Sequence, residues 1–301
     1  MVIGGAGFLG SHVVDRLLSD DLRVDVVDDL STGSLSNLSA ARASAQDGNL
    51  RIHTLDATIP EFIDVVRLRR PEVLYVFSAL TPTTCDLTGA VKSFAVVAST
   101  LEAARQAKVG KVVVTIPAGL LYGELAARDL PVKEDRERRP VGVAGVTANA
   151  IIELLELYRR DHDIEFTVLA LSTVYGSRQS EDNNVVSRFL AVRSQSQPAV
   201  IYGDGRQTRD LLFVDDAVDA VARSLTRGGG LVLNIGTGNQ TSINELWSLM
   251  GGRVEPQRLP KPPHDVTRLA LSSSRARLHL GWSAWTSVHE GVSSLVASSG
   301  T

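Results

Sequence analysis

The sequence predicts an α/β fold in which helices cover both faces of a parallel sheet, followed by a smaller lobe. Three observations support this prediction: short β-branched runs, longer helical stretches that alternate with them, and a glycine-rich turn after the first run. The runs are almost continuously apolar, as expected for strands that are covered on both faces. We therefore expect a doubly wound sheet.

The strands and helices alternate regularly over the first part of the chain. Each helical stretch is long enough to carry the chain back for a parallel connection. Strands are predicted, after the opening run, at 22–27, 50–55, 72–77, 110–115 and 165–171. Helices are predicted at 8–19, 61–69, 86–107 and 141–162.

The pattern becomes less regular after residue 172, where Gly-rich turns separate short elements. This change predicts a second lobe. We expect residues 1–172 to form the first domain, with 203–228 returning to it, and residues 173–202 and 229–301 to form a substrate-binding lobe.

Composition limits the classes of function. The 301 residues are 44% hydrophobic and carry a formal net charge of -3, which gives no broad field for nucleic acid or an anionic membrane. The single cysteine, Cys85, fits a reducing compartment, and no run is long and apolar enough to span a membrane. We expect a cytoplasmic protein with a small-molecule ligand. The opening strand is so short that we also expect preceding residues to be missing from this numbering.

A glycine-rich turn between the first strand and the first helix predicts a phosphate-binding site. Gly4, Gly7 and Gly10 separate the run MVI from an amphipathic helix. Such glycines allow a tight turn and close backbone approach, so that a pyrophosphate can bind free N–H groups at the positive end of the helix. The competing interpretation is a turn without a ligand.

Two acidic residues complete a dinucleotide-binding pattern. Asp28 and Asp29 end the second strand, about twenty residues after the glycines, where a carboxylate binds the ribose diol of NAD. An acid there would repel the 2′-phosphate of NADP, so the sequence predicts NAD. The predicted fold is then a Rossmann doubly wound parallel sheet with a smaller C-terminal substrate lobe.

These motifs resemble those of the extended short-chain dehydrogenase/reductases that act on nucleotide sugars, the NAD-dependent epimerase/dehydratase family. The resemblance covers nearly the whole chain and implies transient oxidation of a sugar by bound NAD. The matching segments are GGAGFLGSH, VVDDLSTG, LDAT, YVFSAL, LSTVYGSRQ, YGDGRQTRDLLFVDDAVDAV, LNIGTGNQTSINEL and LGWSAWTSVHEGV.

The resemblance implies a set of cofactor-binding residues. Asp56 matches the residue that contacts adenine, and Phe77 and Ala79 match residues that line the cofactor. The full implied set is Gly4, Gly7, Phe8, Leu9, Gly10, Asp28, Asp29, Thr32, Gly33, Asp56, Ala57, Phe77 and Ala79.

The catalytic pair of that family is missing from this sequence. In the family a tyrosinate takes the sugar's hydroxyl proton, a lysine four residues later lowers the tyrosine pKa, and a Ser or Thr shares the proton. Matching RRPVGVAGVTANAIIELLELYRR to the family pattern SPYGxSKxxxE places Val141 at the tyrosine and Gly145 at the lysine, while Ala118 stands at the Ser/Thr position. The pattern Tyr-x-x-x-Lys occurs nowhere else in the chain either. We predict an emptied acid–base site, and we expect the helix to tolerate lysine at 145 because glycine disfavours helices.

Tyr122 is the remaining catalytic candidate. It is the nearest phenol in the sequence, but relatives carry this tyrosine as part of a turn, and no charged partner is evident to activate it. A packing role and a catalytic role are both retained.

The substrate side of the resemblance is partial. Arg209 matches the arginine that binds the diphosphate of the sugar nucleotide, and a surface ion pair with Asp210 or Asp215 is the alternative. Thr173 stands where relatives usually carry Asn, and Asp265 completes the expected substrate-binding set. The histidine spacing predicts no metal site.

Three functions remain open. The sequence predicts an NAD-dependent epimerase/dehydratase-like enzyme that acts on a nucleotide sugar or related polyol with atypical acid–base residues. The alternatives are a catalytically impaired pseudoenzyme that binds NAD and a nucleotide sugar, and the same scaffold recruited to non-redox chemistry. In relatives, helices equivalent to 86–107 and 141–162 pair with their copies, so a homodimer is expected.

Overall fold

The structure is a computed structural model that describes residues 1–46, 48–77, 80, 86–181, 184–262 and 266–298. The strands are β1 (Val2–Ile3), β2 (Val24–Asp28), β3 (Leu50–Thr54), β4 (Val73–Phe77), β5 (Lys111–Pro117), β6 (Glu165–Leu171), β7 (Thr173–Tyr175), β8 (Val200–Tyr202), β9 (Thr208–Arg209), β10 (Leu211–Phe213), β11 (Leu231–Ile235), β12 (Thr241–Ser242) and β13 (Gln257–Leu259). The helices are α1 (Phe8–Ser19), α2 (Ser39–Ser44), α3 (Pro60–Arg69), α4 (Leu87–Ala107), α5 (Gly119–Tyr122), α6 (Gly142–His162), α7 (Val185–Ser194), α8 (Val214–Arg223), α9 (Ile243–Leu249), α10 (Ser274–Leu280) and α11 (Val288–Ser298). Short 3₁₀ turns occupy Leu35–Leu38 and Ala127–Asp129.

Seven strands form one parallel sheet in the order β11-β6-β5-β4-β1-β2-β3. The chain proceeds from β1 outward to β3 and then returns to β4 on the other side of β1. In open α/β sheets, ligands bind outside the carboxyl ends of the strands at this point of reversal. Gly4 follows β1 and Phe77 ends β4, so the topology brings them together there.

Two apolar cores cover the two faces of this sheet. On one face α3, α4 and α6 pack together, with Phe62 and Ile151 fully buried. On the other face α1 lies beside α8, and the core includes Val13 and Trp282. Burial from both sides explains the apolar character of β4, β5 and β6, whereas the edge strand β3 is only partly buried. The predicted α/β Rossmann-type sheet is confirmed.

The strands and helices predicted for the first part of the chain are confirmed, with small shifts at their ends. Helix α6 is an example. It begins after Val141, which has an extended backbone, and ends where Asp163 adopts a left-handed conformation. Within the described residues, no helix has both the length and the apolar character needed to cross a membrane.

A third apolar cluster lies in the C-terminal half. Its members include Phe189 and Trp247, whose rings meet edge to face at 5.2 Å, and two-stranded sheets accompany it: β7 with β10, β8 with β13 and β9 with β12. The division into two lobes stays a prediction. One part needs correction, because Leu231–Ile235, assigned from the sequence to the second lobe, forms the edge strand of the main sheet beside β6.

Candidate functional site

The turn between β1 and α1 has the geometry of an anion-binding turn. Gly4 has a φ of +77°, which favours glycine, and its N–H donates to Val27 O at 2.8 Å. Gly7 is the extended N-cap of α1 and has no side chain with which to cap it. The first N–H groups of a helix have no acceptor within the helix, so this turn leaves them available for a phosphate.

Close packing fixes the shape of this turn. A Cβ on Gly10 would overlap the carbonyl oxygen of Gly4, and a Cβ on Gly4 would lie 2.9 Å from Phe77 O. The glycines therefore lie at the predicted strand-to-helix turn, with Phe77 against them. Phe8 and Leu9 open the helix and are half-buried.

Asp28 lies beside this turn at the end of β2. Its Oδ2 accepts from the N–H of Ala6 at 2.8 Å, and its Oδ1 accepts from the N–H of Leu30 at 2.9 Å. Gly33 packs so closely that a Cβ there would lie 3.0 Å from Asp28 Oδ1 and 2.9 Å from the carbonyl carbon of Ala6. Each carboxylate oxygen can accept a second hydrogen bond, so the residues present fit a ribose diol.

Lys92 of α4 joins two further acidic residues near Asp28. Its Nζ lies 2.6 Å from Asp29 Oδ2 and 3.3 Å from Asp56 Oδ2. Burial alone would raise the pKa of Asp29, but hydrogen bonds from Lys92 and Ser31 hold that pKa at about 2. Asp29, Asp56 and Lys92, which we call the lysine bridge, are therefore charged together.

Two further cofactor candidates, Thr32 and Ala57, lie in the segments that follow β2 and β3. Thr32 is exposed and Ala57 is buried. The cofactor candidate Ala79 and the substrate candidate Asp265 lie outside the described residues. Contact of the whole set with NAD stays a prediction.

The other side of the carboxyl edge is apolar. Ala118 is fully buried at the end of β5, and its N–H donates to Leu171 O at 2.8 Å. Val141 is the half-buried N-cap of α6. The fold thus places Ala118 just before α5 and Val141 at the start of α6, the helix that packs against α5.

Gly145 brings α6 close to α5. A Cβ at this buried position would lie 2.8 Å from Leu120 O and 3.1 Å from the carbonyl carbon of Pro140. Both neighbours are backbone atoms, which cannot move aside as a flexible side chain can. The expectation that lysine is tolerated at 145 was therefore wrong, because it considered helix propensity and not the neighbouring turn.

Tyr122 has the contacts of a structural residue. It is 2% exposed, and its hydroxyl donates to Asn234 Oδ1 at 2.7 Å. Asn234 also donates from Nδ2 to Val132 O at 3.0 Å and from its backbone N–H to Glu134 Oε1 at 2.8 Å. Burial raises the pKa of Tyr122 to about 12. Burial and the hydrogen bond to Asn234 favour the packing role for Tyr122, and the catalytic role stays a prediction.

The substrate candidates are positioned by the second half of the chain. Arg209 Nη1 donates to Val266 O at 2.8 Å and to Thr208 O at 2.9 Å. Asp210 is buried and accepts from backbone groups of Thr237, Gly238 and Leu271 instead of forming the surface pair considered from the sequence.

Thr173 begins β7, and its N–H donates to the backbone oxygen of Asp210 at 2.9 Å. This contact joins β7 to the residue that directly follows Arg209 at the end of β9. Binding of a nucleotide sugar by Thr173 or Arg209 stays a prediction.

Comparison with known proteins identifies the family. The family model described as "NAD dependent epimerase/dehydratase family" matches residues 1–236. The chain belongs to this family. It is similar to the UDP-glucose 4-epimerase of Mycolicibacterium smegmatis, with 34% identity over 98% of this chain and 96% of the relative. The putative UDP-glucose 4-epimerase of Methanocaldococcus jannaschii is 32% identical over the same shares.

Solved structures of the epimerase family agree in fold. UDP-glucose 4-epimerase of Thermotoga maritima, solved with UDP-glucose, superposes with a TM-score of 0.91 at 30% identity, covering 98% of this chain and 96% of that one. The Thermus thermophilus UDP-glucose 4-epimerase, solved with NAD, gives 0.86 at 27% identity, covering 99% and 97%. The resemblance inferred from the motifs is confirmed at the level of family and fold.

Sequence reasoning missed the lysine bridge and the Tyr122–Asn234–Glu134 network. The residues of each group are far apart in the chain, and no local spacing indicates that they meet. The polar residues in otherwise apolar strands, such as Asn234 in LVLNI, were the only sequence signal.

Proposed function

We propose that this epimerase-family protein binds NAD and a nucleotide sugar, and that its catalysis is impaired because the usual acid–base pair is absent. The pyrophosphate would bind the N–H groups at the start of α1, and Asp28 would accept hydrogen bonds from the adenosine ribose. When bound, NAD supplies a hydride acceptor. The chain's own residues position it, since the N–H groups of Ala6 and Leu30 orient the Asp28 carboxylate.

The contact between Gly145 and Leu120 O carries the second part of this proposal. The Leu120 oxygen lies too close to the position that the Cβ of a lysine at residue 145 would take. Val141 cannot ionise, and Ala118 has no hydroxyl to share a proton. Loss of a positioned base typically costs on the order of 10²–10⁴-fold in rate, and here the residue that would activate it is absent as well.

An active epimerase/dehydratase-type enzyme with a displaced base is the second candidate. Its support is the similarity, over nearly the full length, to proteins named as UDP-glucose 4-epimerases. The base would then have to come from the substrate, from water or from another residue. Arg209 and Thr173 remain the candidates for holding the nucleotide sugar in either case.

Mass spectrometry of co-purified ligands and a turnover assay distinguish the two. We expect NAD or a nucleotide sugar to co-purify, and a panel of UDP- and dTDP-sugars to give little reduction of bound NAD and little 4-epimer. Epimerisation at the rate of an ordinary family member would establish the second candidate. Calorimetry that detects no NAD binding would reject both.

We propose further that the protein is a homodimer formed through α4 and α6. These adjacent helices expose Leu87 (64%), Val91 (59%) and Val146 (60%). Val91→Asp with Val146→Asp should convert a dimer to a monomer in light scattering, because a charge would then be buried in the interface. Leu278→Asp is the control, since Leu278 is 78% exposed on α10. A monomeric unmodified protein at micromolar concentration would contradict the proposal.

A further inference from the structure

The lysine bridge lies at the adenosine end of the proposed cofactor site. Asp29 directly follows Asp28, and Asp56 lies just beyond β3. Lys92 contacts both from the second turn of α4, the helix that comes after β4 in the chain. It is the only lysine or arginine among the described residues for which an ion pair with Asp29 or Asp56 is seen.

Charge at this position bears on the distinction between NAD and NADP. The two cofactors differ by the 2′-phosphate, which lies next to the ribose hydroxyls that a carboxylate at the end of β2 binds. Three carboxylates, those of Asp28, Asp29 and Asp56, would repel that phosphate strongly. The ammonium of Lys92 offsets part of their negative charge.

The geometry points to Lys92 as a residue that sets cofactor preference, by moderating the rejection of a 2′-phosphorylated dinucleotide. This inference rests on the proposed NAD site. Asp28 still favours NAD, but removal of Lys92 would leave its two acidic partners uncompensated. Because Lys92 is 46% exposed at its side chain, solvent screens the effect. Interaction of one charge with a phosphate dianion at a separation of several ångströms then corresponds to about a threefold to tenfold change in binding.

The test compares ligand pairs that differ only in the 2′-phosphate. Calorimetric titrations of NAD against NADP, and of 5′-AMP against adenosine 2′,5′-bisphosphate, are made with the unmodified protein, Lys92→Met and Lys92→Arg. We expect Lys92→Met to raise the preference for the ligand without the phosphate about threefold to tenfold in both pairs. Lys92→Arg should preserve the preference because it retains the charge.

Two controls make the result specific. Lys133→Met removes the same charge from an exposed lysine next to Val132, which lies near the β11 edge of the sheet, and should leave the preference unchanged. Melting temperatures report any structural loss, which would weaken both members of a pair equally and leave their ratio intact.

The outcomes separate this inference from the function on which it rests. If the unmodified protein binds none of the four ligands, the proposed NAD site and the inference are both wrong. If it binds NAD but the ratio is the same in Lys92→Met as in the unmodified protein, the inference alone is wrong.

Discussion

The two ends of the sheet's carboxyl edge differ in the space that their buried glycines leave for a ligand or a side chain. At the β1–β2 end, Gly10 packs against Gly4 and holds open a turn whose N–H groups can bind a phosphate. At the β5–β6 end, Gly145 packs against Leu120 and closes the space that a catalytic lysine would need. The same residue type, buried in both places, thus shapes a turn with free N–H groups at one end and brings α6 against α5 at the other.

From this difference we expect cofactor binding and acid–base chemistry to be separable in this protein. The groups expected to hold NAD come from β1, β2 and α1, whereas those expected to move a proton come from β5, α5 and α6. No described contact obliges the two to be retained together. The following variants test whether the two ends behave as differently as their geometry indicates.

Gly10→Ala should have the largest effect, at the cofactor end. The added methyl group would overlap the Gly4 carbonyl, so we expect the free energy of unfolding to fall by about 3 kcal/mol or more and NAD binding to be lost. Gly110→Ala is the matched control, because a Cβ there meets nothing within 4 Å. Denaturant titration and calorimetry measure both. A Gly10→Ala protein that binds NAD normally would show that the close contact between Gly10 and Gly4 is not needed for cofactor binding.

Asp28→Ala should weaken NAD binding about 10- to 100-fold, the amount expected when hydrogen bonds to a charged group are lost. It should also narrow the preference for NAD over NADP, since the repelling carboxylate is gone. Asp28→Asn keeps one acceptor oxygen, so its affinity for NAD should lie between those of the unmodified protein and Asp28→Ala. Equal loss of NAD and NADP affinity in Asp28→Ala would show that the carboxylate acts only through the backbone of Ala6 and Leu30.

Gly145→Ala should destabilise the protein although alanine is the better helix former. The propensity gain is about 1 kcal/mol, but the clash with Leu120 O and Pro140 should outweigh it and give a net loss of about 1–2 kcal/mol. For the same reason Val141→Tyr with Gly145→Lys should fail to restore epimerisation. A stabilised Gly145→Ala protein, or a double variant that reduces NAD with a nucleotide sugar, would show that the space between α5 and α6 accepts a side chain at residue 145.

Tyr122→Phe should have the smallest effect. It removes one hydrogen bond to Asn234, which corresponds to about 0.5–1.5 kcal/mol, and it should leave NAD affinity and any residual turnover unchanged. Thermal unfolding and the nucleotide-sugar assay measure the two. A large fall in turnover with little loss of stability would restore Tyr122 as the displaced base.

The sequence predicted the position of the β1–α1 turn and of Asp28 because these features are local. The spacing of Gly4, Gly7 and Gly10 lies within one turn, and Asp28 stands a fixed distance further along one βαβ unit. The absence of a Tyr-x-x-x-Lys pattern could also be recognised from the sequence, because the pattern lies within one helix. Each of these features depends on neighbours in the chain.

The tertiary structure alone decided the features that depend on distant segments. Pairing with β6 assigns Leu231–Ile235 to the main sheet, the approach of α5 makes Gly145 intolerant of a side chain, and Asn234 gives the Tyr122 hydroxyl its partner. The lysine bridge forms because strand order places β2 beside β3, so that Asp29 and Asp56, which follow these strands, both lie within reach of Lys92. Local periodicity determines which elements form, but only their packing determines which side chains and backbone atoms share the same space.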